Sequence, residues 1–276
     1  MVKFIIDSTF GVSKEYCENH DIKTVSLQLL LDGETTLEGF EESWEEFYLR
    51  YEKSKNFPTT SQPNPYSFQC AIDKILENDP KADIIILTIG GSLSGTINSA
   101  TIAAEAYPDH NIKAIDSQNA SAASAMLLYE LVKFTENGGS YEDAIELSSK
   151  LISKLSAQFV PDTMKYLRKG GRIGFLGALL ASIISIKPIF DFRDNVISLP
   201  KKAHGIVKAL KEMILRLPKK IKELKIVYIY RSTHVELMKQ KLEELLGLTN
   251  VEVIPVSPTF GIHVGIGTIG LACLEE

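Results

Sequence analysis

The sequence contains few cysteines, and their placement excludes two common ways of stabilising a fold. Cys17, Cys70 and Cys273 are odd in number, lie far apart and form no CxxC pair. A disulfide framework needs cysteines that pair, and a zinc site needs its ligands at close spacing. We therefore predict reduced thiols in a cytoplasmic protein, without a disulfide frame or a metal site.

The chain also lacks a hydrophobic run long enough to cross a membrane. Its most apolar segment, residues 173–186, is uncharged but spans 14 residues, whereas a membrane-spanning helix needs roughly 20. The N-terminal residues 1–7 enter a strand pattern directly, without the basic region, apolar stretch and cleavage site of a signal peptide. We expect neither a membrane span nor a signal peptide.

An excess of basic residues is absent as well. The 30 Lys and Arg residues against 35 Asp and Glu residues give a formal charge of -5, and phosphate backbones are bound by basic faces. We expect no nucleic-acid partner. Hydrophobic residues at 45% and charged residues at 24% are typical of a folded globular chain, and the 276 residues suit two domains.

Short apolar runs alternate with helical patterns through the first half. The run at 83–89 is apolar throughout, as in a strand buried on both faces of a parallel sheet. Such alternation predicts crossover units, and hence a mostly parallel sheet flanked by helices. The predicted strands are 3–6, 83–89 and 112–115, and the predicted helices are an amphipathic one over 40–51, one beginning at Asn64-Pro65, one from about 94, and 119–136.

The second half predicts a smaller α/β domain. A helical pattern over 141–155 follows the Gly138-Gly139 break. The fold class expected is therefore a two-domain α/β protein, divided near 157 into residues 1–157 and 158–276. The later predicted elements are a hairpin of 188–192 with 196–199, helices at 204–217 and 234–246, and strands at 225–230 and 251–256.

Three loops are rich in small hydroxyl residues: 59–63, 90–96 and 116–117. In open α/β sheets, ligands gather beyond the carboxyl ends of the strands. A helix N-terminus there offers free N–H groups to an anion. The alternative is that these residues are ordinary helix caps and glycine-assisted turns. Composition suggests an anion site and leaves the anion unnamed.

Two segments resemble known enzyme motifs, but neither has the spacing that its motif requires. Neither Ser92 nor Ser94 has the flanking glycines of a hydrolase elbow. The GxGxxG run at 265–270 is followed by six residues, too few for the helix that a dinucleotide site requires. His263, among glycines, and Arg172, in a Gly-Gly-Arg-Ile turn, stand out as candidate ligand-binding residues; a structural histidine and a solvated basic turn are the alternatives.

Two apolar stretches are candidates for the wall of a lipid tunnel. They are residues 175–184 and the leucines at 27 and 29–31. The alternative is that both are simply core.

Seven short motifs occur in an order that resembles the DegV family. These fatty-acid-binding proteins include the carrier subunit of bacterial fatty-acid kinase, and the likeness covers essentially the whole chain. The motifs are Asp7-Ser8-Thr9, Thr60-Ser61-Gln62-Pro63, Leu93-Ser94-Gly95-Thr96, Asp116-Ser117, the Gly-Gly-Arg-Ile turn at 170–173, Lys187-Pro188-Ile189 and His263-x-Gly-x-Gly.

The resemblance implies a non-catalytic carrier without a cofactor. A long-chain fatty acid such as palmitate or oleate would lie between two domains, and a partner fatty-acid kinase would phosphorylate its carboxylate. By motif, Thr60 and Ser94 would hold the carboxylate, His263 would lie near it directly or through water, and Arg172 matches the family's arginine. Two rivals remain: an esterase or thioesterase using Ser94 and His263, and an adaptor with no small ligand.

Overall fold

The computed structural model describes residues 2–39, 43–170 and 186–276. Elements up to residue 152 are β1 (Val2–Asp7), α1 (Lys14–Asn19), β2 (Lys23–Val25), β3 (Gln28–Leu31), β4 (Glu34–Leu37), α2 (Trp44–Lys53), β5 (Thr59–Ser61), α3 (Pro65–Asn78), β6 (Asp83–Thr88), α4 (Thr96–Glu105), β7 (Ile112–Asp116), α5 (Ser121–Glu136) and α6 (Tyr141–Ile152). The remainder are β8 (Leu155–Val160), α7 (Lys165–Gly170), β9 (Ile186–Arg193), β10 (Val196–His204), α8 (Ile206–Leu215), β11 (Ile221–Tyr228), α9 (Val235–Leu246), β12 (Glu252–Pro255), α10 (Pro258–Val264) and β13 (Ile269–Glu275).

The first sheet confirms the predicted parallel arrangement. Its order is β2-β1-β6-β7, and every neighbouring pair is parallel. Ile84 and Ile86 of β6 pack with α3 and α4, whereas Ile85 and Leu87 pack with α5 and α6. The continuous apolar run of β6 is therefore explained by helices on both faces.

Helix starts follow local capping rules. The Asn64 side chain accepts a hydrogen bond from the Ser67 N–H, with Pro65 in the first turn. Ser43 and Glu46 form a capping box at the start of α2. These residues satisfy N–H groups that have no partner within the helix. The predicted start of α3 at Asn64-Pro65 is confirmed. The helix predicted over 40–51 is found as α2, which begins at Trp44, and residues 40–42 lie outside the described residues.

The second sheet has six strands, in the order β10-β9-β8-β13-β11-β12, and its pairs are antiparallel except β11 with β12. The predicted β9–β10 hairpin is confirmed. The sequence patterns did not predict β8 and β13. The predicted helix 141–155 was too long, since α6 ends at Ile152 and Leu155 begins β8. The proposed domain boundary at 157 lies inside β8 and stays a prediction.

Helix α5 packs against both large sheets. Phe4 and Leu87 of the first sheet and Leu155 and Leu274 of the second belong to the same buried cluster as this helix. Its first two turns are fully buried and rich in alanine and serine. These small side chains let two sheets approach one helix closely, as dense interior packing requires.

A third sheet, in the order β4-β3-β5, is antiparallel. Leu29 and Leu31 of β3 form a buried cluster with Phe47 and Tyr48 of α2 and Ile262 of α10. This packing brings β5 and α10 to the same region. Across the described residues, no helix combines the length and the apolar character needed to cross a bilayer.

Candidate functional site

A cavity of about 520 Å³ lies between the first sheet's connecting loops, α10 and one face of the six-stranded sheet. Ligand pockets in proteins usually have roughly 300–1,000 Å³. Its walls are formed by Ile89 at the end of β6, the loop 91–95, the start of α5 at 120–122, strands of the six-stranded sheet, and α10. The cavity is therefore large enough for a small molecule and is built by segments distant in sequence.

Small residues on one face of the six-stranded sheet make room for the cavity. Ala157 lies opposite Ala272, and Phe159 lies opposite Gly270, and all four line the cavity. A Cβ added at Gly270 would lie 2.6 Å from the carbonyl oxygen of Gln158, so this close strand approach requires glycine. Ala157 and Phe159 are only half-buried, as expected of side chains that border open space.

Polar side chains from two segments distant in sequence meet at the cavity. The Oγ1 atom of Thr60, in β5, shares a hydrogen bond of 2.8 Å with Nε2 of His263. His263 lies in the last turn of α10, and both residues line the cavity. The packing of the third sheet against α10 thus unites two of the residues singled out by sequence.

The third predicted residue reaches the same cavity on the loop 90–96, called the Ser94 loop below. Gln62 ties this loop to β5, because its Nε2 atom donates to the Gly95 carbonyl at 3.2 Å and to Ser99 Oγ at 3.0 Å. A Cβ at Gly95 would clash with the end of the Gln62 side chain, so glycine leaves room for this contact. Ser94 Oγ shares a 2.9 Å hydrogen bond with Thr96 Oγ1 and lines the cavity.

Two buried carboxylates hold the elements that carry these side chains. Asp7 Oδ2 accepts from the Ile89 N–H at 2.7 Å, immediately before the Ser94 loop. Glu38 accepts from the Thr259 N–H at 2.8 Å, in the first turn of α10, and from Ser8 Oγ at 2.6 Å. Burial raises the pKa of Asp7 to about 6. Asp7 and Glu38 are therefore scaffold residues of the site.

The polar side chains that line the cavity are hydroxyl and amide groups and one histidine. Among the cavity-lining residues that the structure describes there is no lysine or arginine, and His263 is the one titratable side chain. Hydroxyl and amide groups donate hydrogen bonds without adding charge. These groups could hold an anionic head group by hydrogen bonding, and an alkyl chain would fit the apolar walls.

The structure brings together three of the four predicted site residues. Thr60, Ser94 and His263 line one cavity. Arg172 falls outside the described residues, as does the apolar stretch 175–184. The third hydroxyl loop does not line the cavity: Ser117 bonds instead to Ser124 in α5.

The leucines predicted to form a tunnel wall lie in different environments. Leu27 lines the cavity, whereas Leu29 and Leu31 pack into core and Leu30 is exposed. Interpretation of the leucine run as a tunnel wall was therefore wrong for 29–31. The glycines at 265–270 lead into β13 and not into a helix, so the nucleotide motif is excluded by its context.

The pairing needed for ester hydrolysis is not made among the described residues. A serine nucleophile needs a base within hydrogen-bond reach. Ser94 shares its hydrogen bond with Thr96, and His263 shares one with Thr60. The arrangement is that of two hydroxyl groups exposed to a common cavity.

Several residues of the site were not predicted to have a role. Gln62 was noted only as part of a motif, and nothing marked Glu38, which lies 221 residues from its partner Thr259. Ala157 and Gly270 carried a weak signal, because a glycine within a strand often marks a place where a ligand or another backbone comes close. The glycine indicates a site only if residue 270 is known to lie in a strand, and the sequence patterns did not predict β8 or β13.

Comparison with known proteins agrees with this architecture. A family model described as an uncharacterised protein of the DegV family matches residues 1–276. A DegV domain-containing protein of Listeria innocua is 30% identical over 275 residues, covering 98% of this chain and 97% of that protein.

Two solved structures have the same fold. A fatty-acid-binding DegV family protein of Thermus thermophilus matches with a TM-score of 0.88 and 26% identity, covering 100% of both chains. A stearic-acid-binding protein of Eubacterium ventriosum matches with a TM-score of 0.87 and 26% identity, covering 100% of this chain and 98% of the other.

Proposed function

Because the chain belongs to the DegV family, we propose that it binds a long-chain fatty acid and presents the carboxylate to a partner fatty-acid kinase. The observation that carries the proposal is a cavity with a mostly apolar lining that Thr60, Ser94 and His263 border together. The fatty-acid-binding relatives from Thermus and Eubacterium support the same class of ligand. Palmitate and oleate are representative cargoes.

The tail supplies the affinity in this proposal. Burial of one methylene group contributes about 0.8 kcal/mol, so a tail of about fourteen methylenes contributes roughly 11 kcal/mol. Immobilising the ligand costs several kcal/mol of this. The small residues Ala157, Gly270 and Ala272 open the sheet face on which such a tail would lie.

The head group fixes the direction of the ligand. Desolvating a bare carboxylate costs several kcal/mol unless hydrogen bonds replace its water. Thr60 and Ser94 would donate to the two oxygens, and His263, already bonded to Thr60, would contact the head group directly or through water. Arg172 is assigned by its motif to the same head group or to a partner-facing rim.

The chemistry belongs to the partner in this proposal. The kinase would transfer the terminal phosphoryl group of a nucleoside triphosphate to the bound carboxylate, giving an acyl phosphate and the nucleoside diphosphate. Residues 1–157 and 158–276 would form the two domains that enclose the tail. We place the carrier in the cytoplasm, because Cys17, Cys70 and Cys273 are free thiols, the form that a reducing compartment maintains.

Lipid extraction followed by mass spectrometry tests the proposal. The purified wild-type protein is expected to yield long-chain fatty acid near one equivalent per chain, and Thr60→Val is expected to retain much less. Thr35→Val is the matched control, since Thr35 lies exposed on β4, the other edge strand of the same sheet. Lipid-free wild-type protein would refute binding and favour an adaptor; ester turnover lost in Ser94→Ala would favour a hydrolase.

A further inference from the structure

The turn between β9 and β10 directs the side chain of Asn195 toward the loops of the first sheet. Arg193 pairs with Val196, leaving Asp194 and Asn195 as a two-residue loop. Both have left-handed backbone angles, with φ of 51° and 60°, as a type I′ turn requires. Asparagine tolerates this conformation better than most residues, so the position suits Asn195.

Asn195 makes three hydrogen bonds to the loops of the first sheet. Its Oδ1 atom accepts from the Ser92 N–H at 3.0 Å, and its Nδ2 atom donates to Asp116 Oδ2 at 3.0 Å. Its backbone N–H donates to the Gln118 carbonyl at 3.3 Å. One residue of the six-stranded sheet therefore holds both the Ser94 loop and the loop after β7.

Asp116 completes this connection. Its carboxylate accepts from the Gly91 N–H at 3.0 and 3.1 Å and from the Gln118 N–H at 2.8 Å. A Cβ at Gly91 would lie 2.7 Å from Asp116 Oδ2. The backbone at residues 91 and 92 is thus held by Asp116 and Asn195 just before Ser94, whose own N–H donates to the Gly90 carbonyl at 3.2 Å.

We propose that Asn195 is a positioning residue for carboxylate binding: it holds the Ser94 loop against the six-stranded sheet so that the Ser94 hydroxyl faces the cavity. The inference rests on the proposed function and adds a residue outside the cavity lining. Asn195 acts through the loop and does not touch the ligand. Removing the Asn195 side chain would leave the Ser94 hydroxyl less firmly positioned, while the apolar walls of the cavity would be unchanged.

Asn195→Gly tests this, because glycine keeps the left-handed turn and removes the side chain with its amide. Asp194→Gly is the matched control: it makes the same change at the neighbouring turn position, where the side chain is exposed. The affinities of both variants and the wild type for palmitic acid and for 1-hexadecanol are measured, together with thermal unfolding.

Loss of one well-held donor corresponds to about a tenfold change in Kd. Asn195→Gly is expected to weaken the affinity for palmitic acid about tenfold and to change the affinity for hexadecanol less than twofold. Asp194→Gly is expected to bind both ligands as the wild type does. The role of Asn195 would be overturned, and the proposed function left standing, by any of three results. These are an equal loss of affinity for both ligands in Asn195→Gly, an unchanged affinity for palmitic acid, or the same loss in Asp194→Gly. A wild-type protein that binds neither ligand overturns the proposed function and this inference with it.

Discussion

Filling the cavity at Ala157 would change which fatty acids fit. Ala157 borders the cavity from β8, opposite Ala272, so Ala157→Leu would place three added carbon atoms in space otherwise open to a tail. Displacing about three buried methylenes removes about 2.4 kcal/mol of favourable burial. That corresponds to roughly a 50-fold weaker Kd for an acid that fills the cavity.

A displacement assay with saturated acids from decanoate to stearate would measure this effect. We expect the chain-length preference of Ala157→Leu to move toward acids about three methylenes shorter, with the largest loss for the longest acids. Ala106→Leu is the control, because Ala106 is exposed at the end of α4. It adds the same carbons away from the cavity.

If Ala157→Leu folds as the wild type does and keeps the same chain-length preference, the acyl tail does not lie against β8. A uniform loss across all acids, short and long, would place the effect on the head group or the fold instead. Either result would remove the assignment of Ala157, Gly270 and Ala272 as the tail wall.

The remaining predictions concern the two buried carboxylates. Burial raises the pKa of Asp7 from 3.8 to about 6, so the folded state binds this proton more tightly than the unfolded state does. Protonated Asp7 therefore contributes about 3 kcal/mol to the free energy of unfolding below pH 3.8, and this contribution is lost as the pH rises through about 6. Urea unfolding across this range should show that slope in the wild type and a flatter one in Asp7→Asn; equal slopes would contradict it. Glu38→Ala leaves the buried Thr259 N–H without its acceptor, which costs about 1–3 kcal/mol, and should speed amide exchange in α10 more than Glu38→Gln; unchanged exchange in both variants would exclude Glu38 as the anchor of this helix.

Much of the fold follows from local pattern. The apolar run of β6 requires cover on both faces, and Asn64 with Pro65 marks the start of α3; both features depend on neighbouring residues alone, so they were predictable. Strands β8 and β13 were missed because small residues interrupt their apolar alternation. Those interruptions, at Ala157 and Gly270, border the cavity, so the strand signal is weakest where the site is built.

The sequence by itself determined which loops carry hydroxyl groups, and its motif order identified the family. Only the tertiary packing decided which of those groups meet. Thr60 and His263 are 203 residues apart, and Ser92 and Asn195 are 103 apart, yet each pair is hydrogen-bonded. A hydroxyl or amide has no preference for a distant partner until packed sheets and helices exclude water and bring that partner within reach.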